Sequence, residues 1–101
     1  MPISIDTRGR ETAFILTGEI DHHGARTMMA LLDDAISTLL PMHAVLDLSG
    51  VTFMDSSGIA VILRTHRQLS LHGGTLRVCS VPTQPRKVLD AAGLGRIIPI
   101  E

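Results

Sequence analysis

The chain has no tryptophan and no tyrosine, and Phe14 and Phe53 are its only phenyl side chains. Stacking on nucleobases therefore has almost nothing to work with. The formal net charge is −1 and no block of basic residues occurs, so the electrostatic footprint of a nucleic-acid binder is missing as well. Cys79 is the single cysteine, which rules out an internal disulfide and a cysteine-based zinc site. It stands in the apolar stretch Leu76-Arg77-Val78-Cys79, where a small core residue is expected. The longest unbroken apolar runs, residues 28–32 and 59–63, fall far short of the ~20 residues a membrane-spanning helix needs. The start Met1-Pro2-Ile3-Ser4 is not a charged, apolar export signal. A soluble cytoplasmic protein is the resulting expectation, with no membrane partner.

What remains is apolar enough to fold. Hydrophobic residues make up 45% of the 101 positions and charged ones 19%, a balance that argues against disorder and suits one modest core. The expected unit is one domain over residues 1–101, without linker, internal repeat or low-complexity segment.

The central stretch runs from Leu46 to Leu63. Val45, Leu46 and Leu48 form the apolar run of a strand covered on both faces, broken only by Asp47. After a short connection, Asp55, Ser56 and Ser57 are helix-capping types placed just before a second periodic run. Gly73-Gly74 ends that helix. Upstream, residues 3–7 and 13–17 read as a hairpin around Arg8-Gly9-Arg10-Glu11. A linking segment, residues 18–24, leads to a helix over residues 25–40 whose stripe is Ala25, Met29, Leu32, Ile36 and Leu39, closed by Pro41. Downstream come a strand over residues 75–80 and a short helix opened by Pro82 and Pro85. Val88, Leu89 and Ala92 are its expected buried side, Gly93 its cap, and a last strand follows at Ile97, Ile98 and Ile100. The order β-β-α-β-α-β-α-β implies an α/β fold with a mixed β-sheet and crossover helices.

Few motifs carry chemistry. Asp-Ser-Ser-Gly at residues 55–58 does not match the Gly-x-Ser-x-Gly nucleophile elbow, so hydrolysis is disfavoured. His22 and His23 are adjacent and share no face, and no His-x-x-x-His pair exists, so they read as solvated loop residues and no metal is expected. No Walker-type glycine loop is present, so an ATPase is not expected either. Two hydroxyls at the positive end of a helix are well placed to hold or receive a phosphate. Ordinary helix caps are the plainer reading of the same serines. Neither serine has the Glu or Gln three residues on that a capping box requires, and Gly58 weakens the first turn while leaving room for another molecule to come close.

Taken together, Gly18-Glu19-Ile20-Asp21-His22-His23 and Met54-Asp55-Ser56-Ser57-Gly58-Ile59 resemble the STAS domain of bacterial anti-sigma factor antagonists, the paired histidines being most similar to those acting in sporulation. The resemblance extends over nearly the whole chain, including Gly73-Gly74 and Ala92-Gly93-Leu94. It implies a protein with no enzymatic activity and no cofactor, which binds an anti-sigma factor that is also a serine kinase and so frees a sigma factor. It further implies phosphorylation of Ser56, reversal by a metal-dependent serine phosphatase, and a partner surface drawn from Asp21, His22, His23, Asp55, Ser57 and Gly58. Relatives usually carry a C-terminal helix after the last strand, and none is expected before Glu101. The alternative within the same fold is a STAS subunit that docks on a membrane transport assembly; a small hydrolase ranks behind both.

Overall fold

The computed structural model describes residues 2–101. Strands β1 (Ile3–Arg8) and β2 (Glu11–Ile20) form an antiparallel hairpin closed by Gly9-Arg10. Helix α1 (His22–Leu39) leads to β3 (His43–Met54), which pairs parallel to β2. Helix α2 (Ser56–Leu71) leads to β4 (Thr75–Cys79), parallel to β3, and α3 (Thr83–Ala91) follows. The sheet order is β1-β2-β3-β4.

Both crossovers step the same way across the sheet, from β2 to β3 and from β3 to β4. Right-handed connections therefore put α1 and α2 on one face, and the two helices pack together there. Phe14, Leu16, Ile20, Leu46, Leu48 and Met54 of the strands meet Met28, Leu32, Ile36, Val61, Ile62 and Leu69 of the helices in one core.

The opposite face is covered by ion pairs. Register puts Arg8, Glu11, Ala13, Val45, Asp47 and Arg77 on that side. Arg8 of β1 donates to Asp47 of β3 at 3.0 Å, and Arg77 of β4 donates to Glu11 of β2 at 2.6 Å. Each pair skips one strand, so between them they tie all four together. Ala13 and Val45 are fully buried although no crossover helix lies over them, which fits the apolar stems of the two arginines shielding them. Arg77 also meets Glu101. Burial works to raise the Asp47 pKa, but hydrogen bonds from Ser49 and the Arg8 guanidinium outweigh it and hold the carboxyl below its usual 3.8. The Arg77 hydrogen bond lowers the Glu11 pKa below its usual 4.5.

Several boundaries differ from the expectations. Strand β3 does not stop at Leu48 but runs on to Met54. Its pairing with β2 slips by one residue between Ile15 and Thr17 and again between Gly18 and Glu19. Each slip interrupts the alternation by which a strand is recognised, and two slips restore the original facing. Helix α1 starts at His22 because Asp21 caps it; the histidines and Gly24 conceal this turn from an apolar-period reading. Its buried stripe is Ala25, Met28, Leu32 and Ile36, while Leu39 is about half exposed. Ala92 is exposed rather than buried, and Cys79 is half-buried on the ion-pair side rather than in the core. The expected last strand shrinks to one bridge between Ile100 and Val78, preceded by a 3₁₀ turn at Leu94–Arg96. Pro99 has no N–H to extend a ladder.

Two outcomes follow. Leu46→Ala is expected to destabilise the fold by ~2–5 kcal/mol through a core cavity; a denaturant midpoint equal to that of the parent protein would contradict the packing. Because Asp47 and Glu11 have depressed pKa values when folded, their contribution is complete above the unfolded values and is lost as pH falls through the folded ones. The thermal midpoint should therefore drop as pH falls below the usual carboxylate values of 4.5 and 3.8, and drop less in Asp47→Asn. An equally steep drop in that variant would exclude the pair as a source of acid sensitivity.

Candidate functional site

Ile20 and Met54 are the last residues of β2 and β3, and they are partners in the parallel register. The Asp55 N–H donates to the Ile20 carbonyl at 3.3 Å, so the pairing extends into the turn that follows. Both strands thus end at one place, and α1 and α2 begin side by side. This is the C-terminal edge of the parallel strands, where α/β folds commonly place their binding residues.

The two helix starts are built alike. Asp21 caps α1, its Oδ1 accepting from the Gly24 N–H at 2.7 Å. Asp55 caps α2, its Oδ1 accepting from the Ser57 N–H at 2.7 Å. Each aspartate is followed three residues on by a glycine that is closely packed, so that an added side chain would force its neighbours to shift. A Cβ on Gly24 would stand 2.5 Å from the Glu19 carbonyl oxygen, and one on Gly58 would stand 2.4 Å from Met54 Cγ. The chain therefore contains two adjacent strand–Asp-x-x-Gly–helix turns. Their sequence signal, Ile-Asp-His-His-Gly against Met-Asp-Ser-Ser-Gly, is legible only once Ile20 and Met54 are known to be partners.

This arrangement revises two expectations. Gly58 is buried, and the close approach it permits is made by Met54 of the same chain rather than by another molecule. His22 and His23 are exposed as expected, but they sit in the first turn of α1 rather than in a loop.

The serines are not equivalent. Asp55 takes the capping role, so neither hydroxyl is needed for it. Ser56 is the first helical residue and is exposed; Ser57 is half-buried. A group attached to the Ser56 oxygen would project into solvent at the positive end of a 16-residue helix. Asp21, His22, His23 and Asp55 lie on the same edge of the sheet.

One wall of the site was not visible in the sequence. Ser56 and Ile59 of α2 face Gln84, Lys87, Val88 and Ala91 of α3 across an open groove of about 500 Å³. The α3 residues follow helical spacing on one face. Gln84 reaches the end of β3, where it accepts from the Met54 N–H at 2.9 Å and donates to the Met54 carbonyl at 2.7 Å. No metal-ligating group of three or more His, Cys, Asp or Glu occurs among the described residues. Among them, too, no helix is long and apolar enough to cross a membrane.

Comparison with known proteins agrees with this architecture. Residues 2–101 match the STAS domain family. An anti-sigma F factor antagonist of Paenibacillus polymyxa is 40% identical over 85 residues, covering 84% of this chain and 73% of that protein. The anti-sigma factor antagonist SpoIIAA in its unphosphorylated form superposes with a TM-score of 0.79 at 26% identity, covering 98% of this chain and 87% of that one. The phosphorylated form of SpoIIAA, described as a Bacillus cell fate determinant, gives a TM-score of 0.70 at 26% identity, covering 98% and 90%. The paired Asp-capped turns therefore stand in a known setting: the chain belongs to the STAS domain family, as a relative of the anti-sigma factor antagonists within it.

Proposed function

We propose that this protein is an anti-sigma factor antagonist that acts in the cytoplasm as a binding module, without catalysis of its own. Its unphosphorylated form binds an anti-sigma factor that is also a serine kinase, and the sigma factor is released. Phosphorylation of Ser56 ends the interaction, and a metal-dependent phosphatase restores it. The observation that carries the reading is the division of labour in one turn: Asp55 caps α2 and leaves Ser56 exposed at its first position. The 40% identity to an anti-sigma F factor antagonist supports the partner class.

The chemistry fits an acceptor rather than a catalyst. The Ser56 Oγ attacks the γ-phosphorus of ATP, the bond to the β-phosphate oxygen breaks, and ADP leaves. The serine proton passes to a base of the kinase, which also supplies nucleotide and magnesium.

The added phosphate carries a charge of about −1.5 to −2. In the free protein it meets the positive end of α2, a favourable interaction of typically ~0.3–1 kcal/mol, partly offset by repulsion from Asp55. The fold tolerates it. In a complex that covers Asp21, His23, Asp55, Ser56 and Ser57, the same phosphate loses its water. That desolvation costs several kcal/mol unless a cation of the partner meets it.

Incubation with magnesium, ATP and the anti-sigma F factor of Paenibacillus polymyxa is expected to add one phosphate to Ser56. Mass spectrometry should find none in Ser56→Ala and one in Ser57→Ala; the reverse pattern would move the acceptor to Ser57. Absence of label in the parent protein would favour a docking subunit instead.

Calorimetric titration of the two forms with that anti-sigma factor should show phosphorylation weakening binding about a thousandfold, equivalent to ~4 kcal/mol. Their far-ultraviolet circular dichroism should be the same. Equal affinities would remove the switch, and a collapsed spectrum would mean that phosphate acts by unfolding.

A further inference from the structure

Strand β4 pairs with β3 only from His43 to Asp47, so among the described residues β3 beyond Leu48 has no strand neighbour on that edge. Along a strand, successive residues turn their N–H and C=O groups to opposite edges. Asp55 directs its N–H towards β2, where Ile20 accepts it. Met54 therefore presents both of its backbone groups to the empty edge. Met54 is fully buried, and unpartnered N–H and C=O groups at such a position are costly.

Gln84 fills the gap. Its side-chain amide accepts from the Met54 N–H and donates to the Met54 carbonyl, at 2.9 and 2.7 Å. These are the two bonds that a neighbouring strand would otherwise make to Met54. The contact stands one residue before the Asp55 cap and two before Ser56. It also joins the Ser56 turn to α3, the far wall of the groove that Ser56 lines.

We propose that Gln84 is a positioning residue for Ser56: it replaces a missing strand at Met54, fixes the turn to α3, and holds the acceptor hydroxyl in the pose that phosphoryl transfer requires. The inference rests on the reading of Ser56 as the phosphate acceptor. The pair of bonds needs a side-chain amide, which both donates and accepts. Glutamate would keep the acceptor for the Met54 N–H but set a carboxylate against the Met54 carbonyl, and alanine would make neither bond. In-line transfer depends on near-attack geometry, so a loosened turn should slow the transfer step more than it weakens encounter with the kinase.

The test uses the full chain with Gln84→Ala and Gln84→Glu, the second retaining side-chain volume. Steady-state phosphorylation by the anti-sigma F factor of Paenibacillus polymyxa is expected to show kcat reduced about tenfold in both, with KM within twofold of the parent value. In the absence of any partner, hydrogen exchange followed by nuclear magnetic resonance should show the Met54 amide exchanging at least tenfold faster in Gln84→Ala, with Leu46 unchanged. A Met54 amide that stays protected in that variant would overturn the clamp. Lost protection with unchanged kcat, or with only a raised KM, would overturn the positioning role and make Gln84 a structural or contact residue. Failure of the kinase to label the parent protein would overturn the reading of Ser56, and the positioning role with it. The partner-free exchange result separates that failure from an absent clamp.

Discussion

The parallel pairing of Ile20 with Met54 is the constraint on which the site depends. It ends two strands together, and each strand's next residue is an aspartate that caps a helix. A side chain at the first turn of α1 and one at the first turn of α2 are far apart in sequence, yet this single rung makes them neighbours. The Asp55 N–H to the Ile20 carbonyl carries the pairing one step further and fixes where the second cap stands.

Close packing then sets the angle at which the helices leave the sheet. Gly24 sits against the Glu19 carbonyl and Gly58 against Met54, at distances no side chain could share. Both glycines serve the internal fit of their turn. The exposed chemistry belongs to the residues between each aspartate and its glycine, the histidines in one turn and the serines in the other. Two copies of one local structure thus carry different functional groups on one edge.

The sheet below is held from both sides by different physics. On one face, apolar side chains of α1 and α2 supply the core. On the other, two arginine–carboxylate pairs reach across intervening strands on the side where Ala13 and Val45 are buried. Such pairs are sensitive to acid, whereas the apolar core is not. The Ser56 turn lies at the end of the sheet and is tied to both neighbours, to β2 through Asp55 and to α3 through Gln84. The phosphate proposed for Ser56 would alter charge without requiring those ties to break.

Composition, apolar spacing and turn residues were enough to determine the element order through α3, the hairpin, the crossover helices and the chain's α/β class. The Asp-Ser-Ser-Gly string by itself marked the candidate turn. Local pattern could not see past the two register slips in β3, because a slip erases the alternation that identifies a strand. Nor could it extend α1 back to His22, since histidine and glycine give no apolar period. Tertiary structure alone decided that Asp55 rather than a serine caps α2, that Gly58 faces inward, and that Ile20 and Met54 meet. It alone brought Gln84, thirty residues from Met54, to the edge of β3 that β4 does not reach. The physical reason is the same throughout: periodicity records which face of an element is buried, whereas backbone groups at strand ends take whatever donor or acceptor the completed fold brings to them.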